Sequence, residues 1–187
     1  MASESTIFGS SIVPFRLVFL MWAAFYLEIL FNFPLNAFGI TPRTFHGLIG
    51  IFTAPLIHGD VLHLLSNTVP MLFLGAVLFF FYKPIGGLVF TRAYFGTNVL
   101  VWLFARPANH IGASGVVYAL AFFLIFFGFL RRDFMSIIIS LIVLILYGGV
   151  FYGVLPMDPR VSWESHFAGA LVGVASAVTF SRKKIVN

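Results

Sequence analysis

Gly112-Ala113-Ser114-Gly115 runs directly into Val116-Val117-Tyr118-Ala119-Leu120, and the fold turns on that junction. Glycines around a hydroxyl mark a tight loop, and the apolar run behind it starts a hydrophobic helix. The spacing predicts a helix to about Leu130, where Arg131-Arg132-Asp133 stops it. Two other polar clusters interrupt apolar runs in the same manner. They are His58-Gly59-Asp60-Val61-Leu62-His63-Leu64-Leu65-Ser66-Asn67 and Ser165-His166-Phe167-Ala168-Gly169.

The composition explains why these clusters stand out. Of 187 residues, 60% are hydrophobic and 9% charged, 25 are phenylalanine, and the mean hydropathy is +1.04. Soluble domains are roughly 25% charged. The chain is long enough for about six spans of roughly 20 residues joined by short connections. We expect an all-α polytopic membrane protein, a six-helix bundle forming one membrane domain over residues 1–187 with no room for a soluble one. There is no cysteine, which excludes disulfides, thiolate metal sites and a cysteine nucleophile. A net charge of +5 is too thinly spread to suggest nucleic acid. The polar N-terminus, Met1 to Ser11, lacks the basic region of a signal peptide, so the first apolar segment is expected to be retained.

The expected spans run from about Ile12 to Phe33, Val61 to Phe81, Ile85 to Phe104, Ser114 to Leu130, Ser136 to Leu155 and Ser165 to Phe180. The long connection over residues 34–60 mixes proline, glycine and aromatics and is too apolar for a solvated loop. It reads as a half-embedded segment whose backbone other parts of the protein must cover. Orientation follows from lysine and arginine counts. Arg16, Lys83, Arg92, Arg131, Arg132, Arg182, Lys183 and Lys184 fall on the side of both termini, and Arg43, Arg106 and Arg160 on the other. Eight against three puts both termini in the cytoplasm, the simplest location being a bacterial inner membrane. All three polar clusters then lie at one depth, toward the outer face.

Ser114 and His166 are the candidate nucleophile and base, because a serine hydroxyl attacks well only when an imidazole takes its proton. On the last span His166, Gly169, Ala170, Gly173 and Ala177 share one face, and small residues let helices touch through their backbones. Gly112 and Gly115 give the serine turn the same closeness. His63 and Asn67, four residues apart, project from one helix face. With the Ser114 backbone N–H they form a candidate oxyanion site. No carboxylate is placed to orient His166, so the site reads as a dyad, and neither metal nor cofactor is expected. Each piece has a plainer reading as helix packing, an interfacial histidine or interhelical glue. Polar groups inside membrane segments nevertheless mark functional sites by default, and here they coincide in depth.

The H-x4-H-x3-N pattern at His58, His63 and Asn67, the G-x-S-G at Gly112 to Gly115, and the H-x-x-G at His166 to Gly169 resemble the rhomboid intramembrane serine proteases. The motifs fall in family order on the second, fourth and sixth spans, so the resemblance covers nearly the whole chain. It implies that Ser114 is the nucleophile, His166 the general base, and His63, Asn67 and the Ser114 amide the oxyanion donors. His58 takes the place of an outer, site-supporting histidine. The implied partners are the lipid bilayer and a transmembrane protein substrate, cleaved after a small residue where its helix is weak. The last residues of span five and the loop from Pro156 to Glu164 would gate access. Many rhomboids carry a Trp-Arg pair in the first loop, where this chain has Ile49 and Gly50. That loop is therefore expected to be anchored through Arg43 or Glu28, and His110 reads as a plain loop histidine. The rival readings are a catalytically inactive rhomboid-like protein that binds membrane clients, and a small transporter or channel. Both dyad residues are present, against the first, and no convincing internal repeat supports the second.

Overall fold

The computed structural model describes residues 7–158 and 161–182. Its main helices are α1 (Ile7–Phe31), α2 (Val61–Phe81), α3 (Lys83–Phe104), α4 (Ser114–Arg131), α5 (Phe134–Tyr147) and α6 (Trp163–Ser181). No strand occurs among the described residues, only a single bridge between Ile40 and His110.

Helix α4 is apolar around its whole circumference, and it is the buried axis of the bundle. Val116, Ala119, Leu120, Phe123, Leu124 and Phe127 are all essentially inaccessible. Helix α6 lies against it at backbone distance. A Cβ added to Gly169 would overlap the Gly115 carbonyl oxygen, and one added to Gly173 would overlap that of Ala119. On the far side α5 seats Ser136 and Ser140 against Gly128, with the Ser140 hydroxyl donating to the Ile125 carbonyl. Helix α1 packs on α2, where Pro14 occupies the space beside Gly75 and Trp22 Nε1 donates to Thr68 Oγ1 at 3.0 Å.

The helix ends refine the expected spans. Helix α2 has the predicted limits, because the Asp60 carboxylate accepts from the His63 N–H at 2.8 Å and caps it. Helix α1 starts at Ile7 rather than Ile12 and ends at Phe31 rather than Phe33, where Asn32 takes a left-handed conformation (φ 50°). Helix α3 starts two residues early because Tyr82 alone separates it from α2, with Pro84 in its first turn. A π-helical segment, Arg92–Gly96, interrupts it. Helix α5 stops at Tyr147 instead of Leu155. Gly148-Gly149 breaks it, and a separate turn, Val150–Gly153, follows. By length and hydropathy α1 to α4 suffice to cross a membrane. Helix α5, at 14 residues, is short for a bilayer of about 30 Å, and Glu164, His166, glycines and serines dilute α6.

The first loop is folded rather than extended, in short turns at Leu35–Phe38, His46–Leu48, Gly50–Thr53 and Ala54–Leu56. Its backbone finds partners mainly on α3. Tyr94 OH, Asn98 Nδ2 and Trp102 Nε1 donate to the carbonyls of Phe52, Ile51 and Thr44 at 2.6, 3.1 and 2.9 Å. Arg43 Nη1 returns bonds to the carbonyls of Leu103 and Ala105 at 3.2 and 2.8 Å. Of the two anchors expected in place of the Trp-Arg pair, Arg43 serves. Glu28 sits partly exposed on α1, and the bonds that hold the loop come from elsewhere.

Candidate active site

The starts of α2, α4 and α6 meet at one end of the bundle around a cavity of about 1150 Å³. Ser114 is the first residue of α4, and the chain reaches it through Gly112 at φ +102°. That conformation favours glycine. Glycine is needed twice over, since a Cβ there would lie 2.6 Å from His63 Nε2. The Gly112 N–H is tied to the Ala54 carbonyl at 2.8 Å, so the first loop holds the serine turn from below. Gly115 lets α4 approach its neighbours, because a Cβ would sit 2.8 Å from Thr97 Cγ2 and 3.0 Å from the Ser165 carbonyl.

His166, in the first turn of α6, places Nε2 3.0 Å from Ser114 Oγ. Its other ring nitrogen, Nδ1, lies 2.9 Å from the Gly153 carbonyl. A carbonyl only accepts, so Nδ1 carries the hydrogen and Nε2 is free to accept from the serine hydroxyl. The Tyr118 ring, one turn beyond Ser114, stacks on the imidazole with centroids 4.0 Å apart and planes 4° apart. The space for that stack comes from Gly153, where a Cβ would overlap the Tyr118 hydroxyl. The turn that follows the broken end of α5 therefore fixes the His166 ring with Nε2 toward Ser114.

His63 and Asn67 both line the cavity. One Asn67 amide hydrogen goes to the His63 carbonyl of its own helix at 2.8 Å, and the amide group has a second to offer. His58 is buried behind them, its ring 4.9 Å from that of His63 and edge-on to it. Its Nε2 accepts from the Ala113 N–H at 3.5 Å and its Nδ1 faces the Leu56 carbonyl at 3.4 Å. Burial, helped by the neighbouring His63, lowers the His58 pKa from 6.5 to about 4, which keeps the ring neutral and able to accept. Gly169 and Gly173 lie deeper on α6, in its contact with α4.

Several groups at the cavity escaped the sequence reading. Gly153 acts through its carbonyl, which no residue type announces. Tyr118 was legible in principle, since it stands four residues from Ser114 on one helix face. Arg106 pairs with Glu164 at 3.4 Å and donates to the Val161 carbonyl at 2.9 Å. His110 is not a plain loop histidine. It is 3% exposed, with Nδ1 2.6 Å from Ser162 Oγ and Nε2 3.0 Å from the Arg106 carbonyl. Of the expected gate, Pro159 and Arg160 lie outside the described residues, while Asp158, Val161 and Ser162 line the cavity. No group of three or more histidine, aspartate or glutamate side chains is arranged to hold a metal ion among the described residues.

A family model for the Rhomboid domain matches residues 46–183, a stretch containing every motif residue named above. The chain belongs to the rhomboid family. It is thus a multi-pass helical protein of the membrane, from a family whose members are generally intramembrane serine proteases. Uncharacterized proteins of Mycobacterium tuberculosis and Mycobacterium bovis are each 34% identical to this rhomboid over 92% of its chain and 75% of their own. An uncharacterized protein of Mycobacterium leprae is 36% identical over 72% of this chain and 57% of its own.

Proposed function

We propose that this rhomboid is an intramembrane serine endopeptidase with a Ser114–His166 dyad. The observation that carries the reading is the 3.0 Å contact between Ser114 Oγ and His166 Nε2, with Nδ1 held by the Gly153 carbonyl. In the first step Ser114 Oγ attacks the scissile carbonyl carbon while its proton passes to His166 Nε2. The C–O bond forms and the carbonyl π bond becomes an oxyanion. His63, Asn67 and the Ser114 N–H donate to that oxyanion, each such donor being worth roughly 3–4 kcal/mol of barrier. Collapse breaks the C–N bond, and His166 returns the proton to the leaving amine. A water then attacks the acyl-enzyme carbonyl and gives a proton to His166, and the C–Oγ bond breaks as His166 passes that proton to Ser114 Oγ, releasing the acid. The cavity supplies the polar surroundings that water needs within the bundle.

The substrate in this reading is a transmembrane protein. An intact helix hides its carbonyls in internal hydrogen bonds, so cleavage requires a segment that unwinds at the depth of Ser114. With eight basic residues against three on opposite sides, that depth lies toward the outer face and both termini are cytoplasmic. The mycobacterial relatives support a bacterial membrane as the location. The test is cleavage in proteoliposomes of a panel of single-span proteins whose outer halves carry glycine or proline. We expect fragments cut near the outer end by wild type and none by Ser114→Ala. Equal fragment yields from Ser114→Ala would refute the assignment.

A further inference from the structure

His110 is buried beside the cavity, yet the proposed reaction gives it no part. Its backbone and side chain reach different segments. The backbone exchanges two bonds with Ile40 of the first loop, each 2.9 Å. The side chain bonds two other segments. Nε2 faces the Arg106 carbonyl at 3.0 Å, so it carries the hydrogen, and Nδ1 is left to accept from the Ser162 hydroxyl at 2.6 Å.

Ser162 is the residue from which α6 starts, and serine there normally bonds the helix's own free N–H groups. Here its side chain makes no such capping bond. The hydroxyl instead lies between His110 and Ser165 Oγ, 2.9 Å away and adjacent in sequence to His166. A helix start has given up its usual cap in favour of a bond to the serine loop. A second link runs alongside, from Arg106 to Glu164 and the Val161 carbonyl.

We infer that His110 is a positioning residue. It fixes the start of α6 against the loop that carries Ser114, and so sets the distance between nucleophile and base. The inference rests on the Ser114–His166 reading above. It makes the His110–Ser162 bond matter for turnover, because that bond holds the start of the helix that carries His166.

The experiment compares full-length wild type, His110→Ala, Ser162→Ala and the double variant, in detergent, each first shown folded by its thermal transition. Two rates are read: labelling of Ser114 by a fluorophosphonate probe, and kcat and KM on a cleaved transmembrane substrate. A misplacement of ångström size lowers rates by about 10- to 100-fold. We expect a loss of that order in labelling and in kcat, larger than any change in KM, and a double variant no slower than the slower single one. His110→Asn, which retains an acceptor facing Ser162, should recover part of the rate. Should His110→Ala fail to fold, Ser162→Ala removes the same bond and decides the matter. Either folded single variant at the wild-type rate, or losses that multiply in the double variant, would overturn the role of His110. A wild type that neither labels nor cleaves would instead overturn the dyad reading, and this inference with it.

Discussion

Ser114 and His166 come from segments 52 residues apart in sequence, and their meeting depends on residues with no reactive side chain. Gly112 provides the left-handed turn, Gly153 an acceptor carbonyl, and Tyr118 a flat surface against the imidazole. His58 contributes by remaining uncharged. Its Nε2 accepts from the Ala113 N–H only in the neutral form, and burial lowers its pKa to about 4 against 6.5 in an unfolded chain. The folded state thus binds fewer protons than the unfolded state between those values. Its contribution to stability is complete above pH 6.5 and is lost as pH falls toward 4. We expect the thermal transition of wild type to drop across that window and the slope to flatten in His58→Gln. Identical slopes would mean that His58 does not titrate there.

At the scale of elements, the pairing of α4 with α6 decides whether the dyad forms. Their approach is set by Gly169 and Gly173, where any Cβ meets the backbone carbonyls of α4. Backbone cannot swing aside as the end of a long side chain can, so the helices themselves must separate. Overpacking of this kind costs about 1–3 kcal/mol, and the displacement also lengthens the contact between Ser114 and His166. Gly173→Leu, which touches no reacting atom, should abolish turnover and lower the thermal transition. Normal turnover with that substitution would refute close packing as the device that positions His166. The first loop works by similar logic on the other partner, holding the serine turn through the Ala54 carbonyl and being held by Arg43, Asn98 and Trp102.

For the whole molecule, apolar runs and their polar interruptions were enough to read a helical membrane bundle, and the limits of α2 and the start of α4 follow from Asp60 and the glycine-flanked Ser114. The glycine face of α6 was legible for the same reason, since small residues at helical spacing have one physical use in a membrane. What the sequence concealed depends on backbone. The Gly153 carbonyl, the single-residue turn at Tyr82 and the folded first loop involve groups that every residue carries. His110 reads as a plain loop histidine because the two partners that tie it to the rest of the fold, Ile40 and Ser162, are 70 and 52 positions away. Orientation is open to direct test because the chain has no native cysteine. A cysteine replacing Asn109 should react with an impermeant maleimide from outside intact cells, and one replacing Arg132 only after permeabilisation. The reverse pattern would invert the proposed topology.

The central claim is that Ser114 is an activated nucleophile. The most direct measurement is labelling of the detergent-solubilised protein with a fluorophosphonate probe in wild type, Ser114→Ala and His166→Ala. We expect the wild type to be labelled and both variants to be silent while remaining folded. A folded wild type that takes up no label, or labelling that survives in His166→Ala at the wild-type rate, would contradict the dyad and favour a rhomboid that binds membrane clients without cutting them.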